Sequence, residues 1–356
     1  MIEPPPLFRR EFTPAWLATA SVLAGQRPPD LTRPFRYVHL GCGRGVTSAV
    51  VASVHPQAEV WAWDWRPAQV EATRRRRDAA GLSNMVVHER PGLPPDFGSD
   101  RLADIVIVAD VFVAASDDMR DQILDAVATN LRPGGLVCVA YKTMAGWTEI
   151  VPIQRLMRYV AQRFTGHPQA LVPHVLALLQ QLRDGGAKHL TERPVVSAWL
   201  DELLVTDADT ITAEYLHDDF RPLSHAQVAS AMTQTGCDFI GSARLTDELD
   251  LDVPSALADM VATAGSRVLK DTYRDLAVRR TERHDLFRLG QAPLTTTERF
   301  DALAALQILD PAGPPEARTT AHDVALRNLL DSGDVQPVAP GGVHIVADLL
   351  ARLGVA

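Results

Sequence analysis

The sequence is poor in the features that mark several protein classes. Its three cysteines, Cys42, Cys138 and Cys237, are odd in number and far apart, with no CxxC pair and no histidine at a zinc-ligand spacing. A disulfide scaffold and a structural metal site are therefore not expected, and a reducing cytoplasm is the compartment that fits. No apolar run approaches the ~18 residues of a membrane helix. The opening residues, MIEPPPLFRREF, place prolines and charges where a signal peptide needs an apolar stretch. A soluble chain with no membrane partner is expected.

Positive charge is in deficit as well. Lys plus Arg number 35 against 44 Asp plus Glu, a net charge of -9, which gives a polyanion no general attraction and argues against a nucleic-acid partner. The densest basic run, Arg74 to Arg77, falls on an expected helix, where consecutive side chains point in different directions and read as a solvated face. HExxH, GxxxxGK[ST] and GxSxG are all missing, so metalloprotease, P-loop and nucleophile-elbow chemistries find no support.

What is present is ordinary globular composition, 46% hydrophobic and 22% charged over 356 residues, enough for two or three domains with real cores. The run FRYVHLGC (35–42) reads as a strand ending in glycines, followed by a helix from Val46 to Val54. Glu59 to Trp63 is a second strand, closed by Asp64, and a helix from Pro67 to about Ala80 stops at Gly81. Asn84 to His88, Ala103 to Ala109 and Leu136 to Tyr141 continue the strands, with a helix from Met119 to Leu131 between the last two. Strands alternating with helices predict a Rossmann-like α/β fold, a parallel sheet covered on both faces.

The grammar then changes. From Thr148 to about Asp209 amphipathic helices dominate, including Ile153 to Phe164 and Leu171 to Leu182, which suits either a lid or a dimer contact. Ser224 caps a helix to Thr235, Asp238 to Leu245 is a strand, and Asp285 to Leu289 is a weaker one. The expected organisation is an N-terminal helical arm (1–34), a cofactor-binding core (35–147), a helical insertion (148–218), completion of the core sheet (219–290) and a small C-terminal helical domain (291–356).

The segment His39-Leu40-Gly41-Cys42-Gly43-Arg44-Gly45 puts three glycines at the tip of the first strand, where the backbone must turn tightly and approach a ligand. The same turn also serves strand-to-helix packing. Val46 stands where a dinucleotide-binding GxGxxG needs its last glycine, which turns the reading from NAD toward S-adenosylmethionine. Asp64 at the end of the second strand suits ribose hydroxyls, although NAD enzymes also keep an acid there. Arg132-Pro133-Gly134-Gly135 ends a helix and reverses the chain into the fifth strand.

With the glycine turn, the second-strand acid and the LRPGGL turn in order, the chain resembles the class I S-adenosylmethionine-dependent methyltransferases. The runs PFRYVHLGCGRG, AEVWAWDWRP, LRPGGLVCVAY, GWTEIVPIQRLMR, TAEYLHDDFRPLSHAQVA, FIGSARL and RDLAVRRTERHDLF, spanning roughly Phe12 to Gly290, are similar to bacterial methyltransferases with a methyltransferase regulatory domain. That family includes protein lysine methyltransferases acting on outer-membrane proteins. The resemblance implies that Gly41, Cys42, Gly43 and Gly45 border the methionine end of S-adenosylmethionine and Asp64 its ribose. Trp65 would cover the adenine and Glu89 with Arg90 border its edge, with S-adenosylhomocysteine as product. Trp63 and Trp65 alternate across the strand, so one of them packs into the core.

The family normally has an acid where this chain has His39; a neutral imidazole still accepts one hydrogen bond, and Asp110 at the end of the fourth strand can replace the charge. Ala109, Phe112 and Ala114 replace the family's histidine, tyrosine and tryptophan, and Ala140-Tyr141-Lys142 replaces Ser-Tyr-Asn. Tyr141 is the candidate general base, and Lys142 a candidate to orient an anionic acceptor. The acceptor is a small metabolite, a peptide or a protein lysine, attacked at nitrogen or oxygen. A non-catalytic or partner-dependent regulatory protein is the rival reading, and a homodimer fits the apolar helical faces.

Overall fold

The structure, a computed structural model, describes residues 8–88, 93, 97, 101–167, 170–216, 220–248, 252–304, 308–309, 335–339 and 342–345. Ten strands are described: β1 (Arg36–Leu40), β2 (Glu59–Trp63), β3 (Met85–Val87), β4 (Ala103–Ala109), β5 (Leu131–Lys142), β6 (Cys237–Ser242), β7 (Glu282–Leu289), β8 (Ile308–Leu309), β9 (Val335–Ala339) and β10 (Gly342–Ile345). The first half of the chain interleaves these with α1 (Pro14–Leu23), α2 (Val46–Val54), α3 (Pro67–Ala79), α4 (Val111–Ala114), α5 (Asp117–Asn130) and α6 (Met144–Trp147). Then come α7 (Val151–Arg163), α8 (Leu171–Asp184), α9 (Lys188–Thr191), α10 (Pro194–Val205), α11 (Ala208–Tyr215), α12 (His225–Gln234), α13 (Leu245–Glu248), α14 (Ser255–Ala262), α15 (Arg267–Ala277) and α16 (Thr296–Ala304).

Seven strands form one sheet in the order β3-β2-β1-β4-β5-β7-β6. β1 to β5 are parallel, while β7 runs antiparallel between β5 and β6. The order reverses between β1 and β4, and such a switch point opens a crevice at the strands' carboxyl ends. Every residue of β1 and of β4 is buried, as a sheet with both faces covered requires.

Alternation sorts the strands into two cores. Val38, Leu40, Trp61, Trp63, Val106 and Val108 face one side, where Ile153, Met157, Val175, Leu179 and Leu200 of the helical insertion join the same cluster. Tyr37, Val60, Ala62, Ile105 and Ile107 face the other, packed with Phe12 and with Leu17 of α1. The insertion is helical as expected, and Ser224 caps α12 through a reciprocal pair with Gln227.

Several boundaries differ from the sequence reading: the expected strand Asp238 to Leu245 runs from Cys237 to Ser242 as β6, and Leu245 opens α13 instead. β5 starts at Leu131 and takes in the Pro-Gly-Gly turn, with a register shift opposite Ala103 to Ile105. β7 begins three residues early because Glu282, Arg283 and His284 belong to the ladder. The C-terminal part is not simply helical: after α16, β10 pairs antiparallel with both β8 and β9 in a separate three-stranded sheet. Among the described residues no helix is long and apolar enough to cross a membrane.

Candidate functional site

The site begins where β1 ends. Gly41 has φ +75, and a Cβ there would stand 2.2 Å from the Ala109 carbonyl oxygen, so only glycine lets the loop lie this close to β4. Gly43 has φ +57 and nothing within 4 Å of the same hypothetical Cβ. Its backbone is open on that side. The amides of Gly41 and Cys42 both donate to the Trp63 carbonyl, at 2.8 and 3.0 Å, which ties the loop to the tip of β2.

Asp64 completes that tie. Its Oδ2 accepts from the Gly43 amide at 2.9 Å, and its Oδ1 accepts from the Arg66 amide at 2.9 Å and from Arg66 Nε at 3.0 Å. The Arg66 guanidinium therefore lies against the carboxylate and also over the Trp65 ring, 4.6 Å from its centroid. Trp63 is core and Trp65 half-buried.

Asp110 follows β4 with φ +58, an uncommon conformation for a side-chain-bearing residue, held by its amide donating to Ala140 at 3.0 Å. One of its carboxylate oxygens lies 3.5 Å from Arg9, and the other, Oδ1, is buried without a hydrogen-bond partner among the described residues. Arg9 also pairs with Glu282 at 2.6 Å, which stitches the N-terminal segment to β7.

These groups surround a cavity of about 100 Å³. Gly41, Trp65, Arg66, Asp110, Lys142, Glu214 and Phe220 all line it. The Lys142 ammonium meets Glu214 at 3.3 Å and stands 5.2 Å from the Trp147 ring centroid. Burial alone would loosen its proton, but Asp110, Glu214 and Glu282 outweigh burial and raise its pKa.

Not every expected residue reaches the cavity. His39 is buried behind the loop, with Nδ1 2.9 Å from Ser48 Oγ and the Phe12 ring 5.8 Å away edge-on. Burial, reinforced by the Arg9 charge, pushes its pKa down to about 3, so it is neutral. Cys42 is also buried, and burial followed by the Asp64 charge raises its thiol pKa. It contributes its backbone. Gly45 abuts Thr73 of α3 and starts α2. Glu89 and Arg90 lie outside the described residues.

Tyr141 corrects the expected catalytic base. Its side chain is fully buried and its hydroxyl donates to Asp285 at 2.5 Å, on the regulatory side of the sheet. Burial and the Asp285 charge raise its pKa well above the ordinary value. A phenol that holds its proton this firmly, away from the cavity lining, is no base for an acceptor. Arg9, Arg66, Glu214 and Phe220 were not singled out from sequence, since they come from separate segments with no local pattern.

Two family descriptions match this arrangement. Residues 38–137 match "Methyltransferase domain" and residues 207–288 match "Predicted methyltransferase regulatory domain". This is a class I methyltransferase fold carrying a methyltransferase regulatory domain. The methyltransferase domain supplies the loop, Asp64 and Asp110; the regulatory domain supplies Glu214, Phe220, β6 and β7.

An uncharacterized protein of Synechocystis is 25% identical over 303 residues, covering 84% of this chain and 60% of its own. An uncharacterized protein of Rickettsia prowazekii is 26% identical over 164 residues, covering 46% of this chain and 65% of its own. The structure of PKMT2 from Rickettsia typhi in complex with AdoHcy superposes with a TM-score of 0.69 at 22% identity, covering 89% of this chain and 61% of that one. The chain thus spans about three fifths of the length of the first of these relatives and of PKMT2.

Proposed function

We propose that the chain binds S-adenosylmethionine and transfers its methyl group to a nitrogen or oxygen nucleophile. The observation that carries this reading is Asp64, which ends β2 beside the open Gly41–Gly43 cradle at the sheet's switch point. The cradle fits the cofactor's methionine end. The unpartnered Asp110 Oδ1 fits its amino group, Asp64 its ribose hydroxyls and Trp65 a face of its adenine. The bound cofactor would supply an electrophilic methyl on a positive sulfonium.

What remains for the protein is alignment and exclusion of water. Gly41 and Asp110 border the cavity on the cofactor side, and Lys142, Glu214 and Phe220 present the acceptor side. Two carboxylates of the lining, Asp110 and Glu214, stand against two cations, Arg66 and Lys142, so its charges balance. With no net charge in the lining to select an anion or a cation, the choice of a protein or peptide lysine rests on the family resemblance.

Arg66 covers Asp64 in this structure, so the guanidinium must swing aside for a ribose to reach both carboxylate oxygens. Calorimetric titration with S-adenosylmethionine and S-adenosylhomocysteine tests the reading, with NAD as the control ligand. Micromolar binding that weakens about tenfold or more in Asp64→Ala is expected. Binding of neither compound would overturn it and favour a non-catalytic role.

A further inference from the structure

The chain has only three lysines, Lys142, Lys188 and Lys270, among its 35 basic residues. One of them, Lys142, lines the same cavity as Gly41 and Asp110. Its ammonium is placed as a bound ligand would be. Glu214 lies on one side at 3.3 Å and the Trp147 ring on another, with centroid 5.2 Å away. Tyr215 and Phe220 pack against Trp147 at centroid distances of 6.0 and 5.6 Å, and Phe220 also lines the cavity.

Of the three N–H donors on this ammonium, the described residues give one an acceptor, Glu214. A site built for an unmodified ammonium offers more acceptors, because each N–H withheld from water costs free energy. The Trp147 ring beside the ammonium suits an alkylated form, whose methyl groups replace N–H donors while the charge that answers Asp110, Glu214 and Glu282 stays.

Resting on the cofactor reading above, we propose that Lys142 is itself a methyl acceptor, modified in place by the site it lines, and that the Trp147 ring, backed by Tyr215 and Phe220, holds the methylated ammonium. The Lys142 ammonium first releases a proton, through the Glu214 carboxylate, to solvent. The lone pair of the neutral amine forms an N–C bond to the methyl as the C–S bond breaks, and that pair stays on sulfur. S-adenosylhomocysteine leaves as a neutral thioether, and the positive charge passes from sulfur to nitrogen. With the ammonium's proton held tightly, the reaction is slow and limited to one chain, and its rate climbs about tenfold per pH unit between roughly pH 7 and 9.

The test uses the full chain and S-adenosylmethionine carrying a trideuterated methyl group. Intact mass and peptide mapping are expected to place the label on Lys142, undiminished in the double variant Lys188→Arg, Lys270→Arg, where Lys142 is the sole lysine. A readout free of the cofactor is reductive methylation with ¹³C-formaldehyde. The Lys142 methyl resonances are expected upfield of those of Lys188, from the ring current of Trp147, and to lose that shift on urea unfolding. Label on another residue, or no label in protein that binds the cofactor by calorimetry, overturns the proposal alone. No label in protein that fails to bind overturns the cofactor reading with it. Lys142 resonances indistinguishable from those of Lys188 overturn the aromatic seat.

Discussion

The Tyr141 hydroxyl and the Asp285 carboxylate meet at 2.5 Å inside the sheet, joining β5 of the methyltransferase domain to β7 of the regulatory domain. The same Oδ2 lies 2.8 Å from His225 Nδ1, and Oδ1 accepts from Arg283 Nε at 2.7 Å. Arg283 in turn reaches Asp275 at 2.6 Å and Asp271 at 3.0 Å, all of it buried. Lys142, next in the chain after Tyr141, is thereby fixed at the cavity by contacts on the far side of the strand.

Tyr141→Phe is expected to lower stability by about 1–2 kcal/mol, since a buried carboxylate loses one donor but keeps two others. Cofactor affinity is expected to stay unchanged. Urea unfolding and calorimetry check both. A catalytic base would show the reverse pattern, intact stability with turnover reduced by about a hundredfold or more.

Two alanine substitutions in the glycine loop should part company. Gly41→Ala forces a Cβ into the Ala109 carbonyl at positive φ and is expected to cost about 2–4 kcal/mol of stability. Gly43→Ala meets nothing in the free protein and carries only the conformational cost, about 1 kcal/mol. It is expected to fold and yet to bind S-adenosylmethionine about tenfold or more weakly, because its methyl group stands in the cradle. Equal loss of stability in the two variants would refute the argument.

Acid should weaken the fold in two stages. His39 is held neutral, its pKa about 3 against about 6.5 when unfolded, so the unfolded chain takes the proton first. Above about pH 6.5 this group contributes nothing to the slope; below it, stability falls by about 1.4 kcal/mol per pH unit. Asp285 and Asp271 behave as depressed carboxylates. Burial alone would raise them, and Arg283 foremost outweighs it, so their stabilisation is full above about pH 4 and is lost below. In His39→Gln the first stage is expected to vanish and the second to remain, as urea midpoints taken from pH 7.5 down to pH 3 would show.

The legible parts of the fold are those whose burial is largely apolar, with Arg36, His39 and Asp104 the buried polar residues of β1 and β4. ADIVIVA and RYVHL announce themselves because both faces of β4 and β1 are covered, and the glycines after β1 mark where backbone must come close. β7 was faint for the opposite reason. Arg283, His284 and Asp285 sit in the middle of a buried strand, and partners from β5, α12, α15 and β7 itself make that tolerable. Asp64 and the loop were readable for the same local reasons, whereas Glu214 and Arg9 reach the cavity from distant segments. Tyr141 was misjudged because a strand sequence does not tell which face a tyrosine takes when both are buried.

The position of β7 has a consequence for how the gene can be cut. Residues 207–288 read as a separate module, yet they deliver the two strands that close the sheet beyond β5. A fragment ending before residue 207 would leave LVCVAY as a bare edge, apolar on both faces and open to pairing with its own copies. Such a fragment is expected to precipitate, and genes that shuffled this module freely would have left insoluble remnants behind. The two stretches must be transplanted, truncated and inherited together.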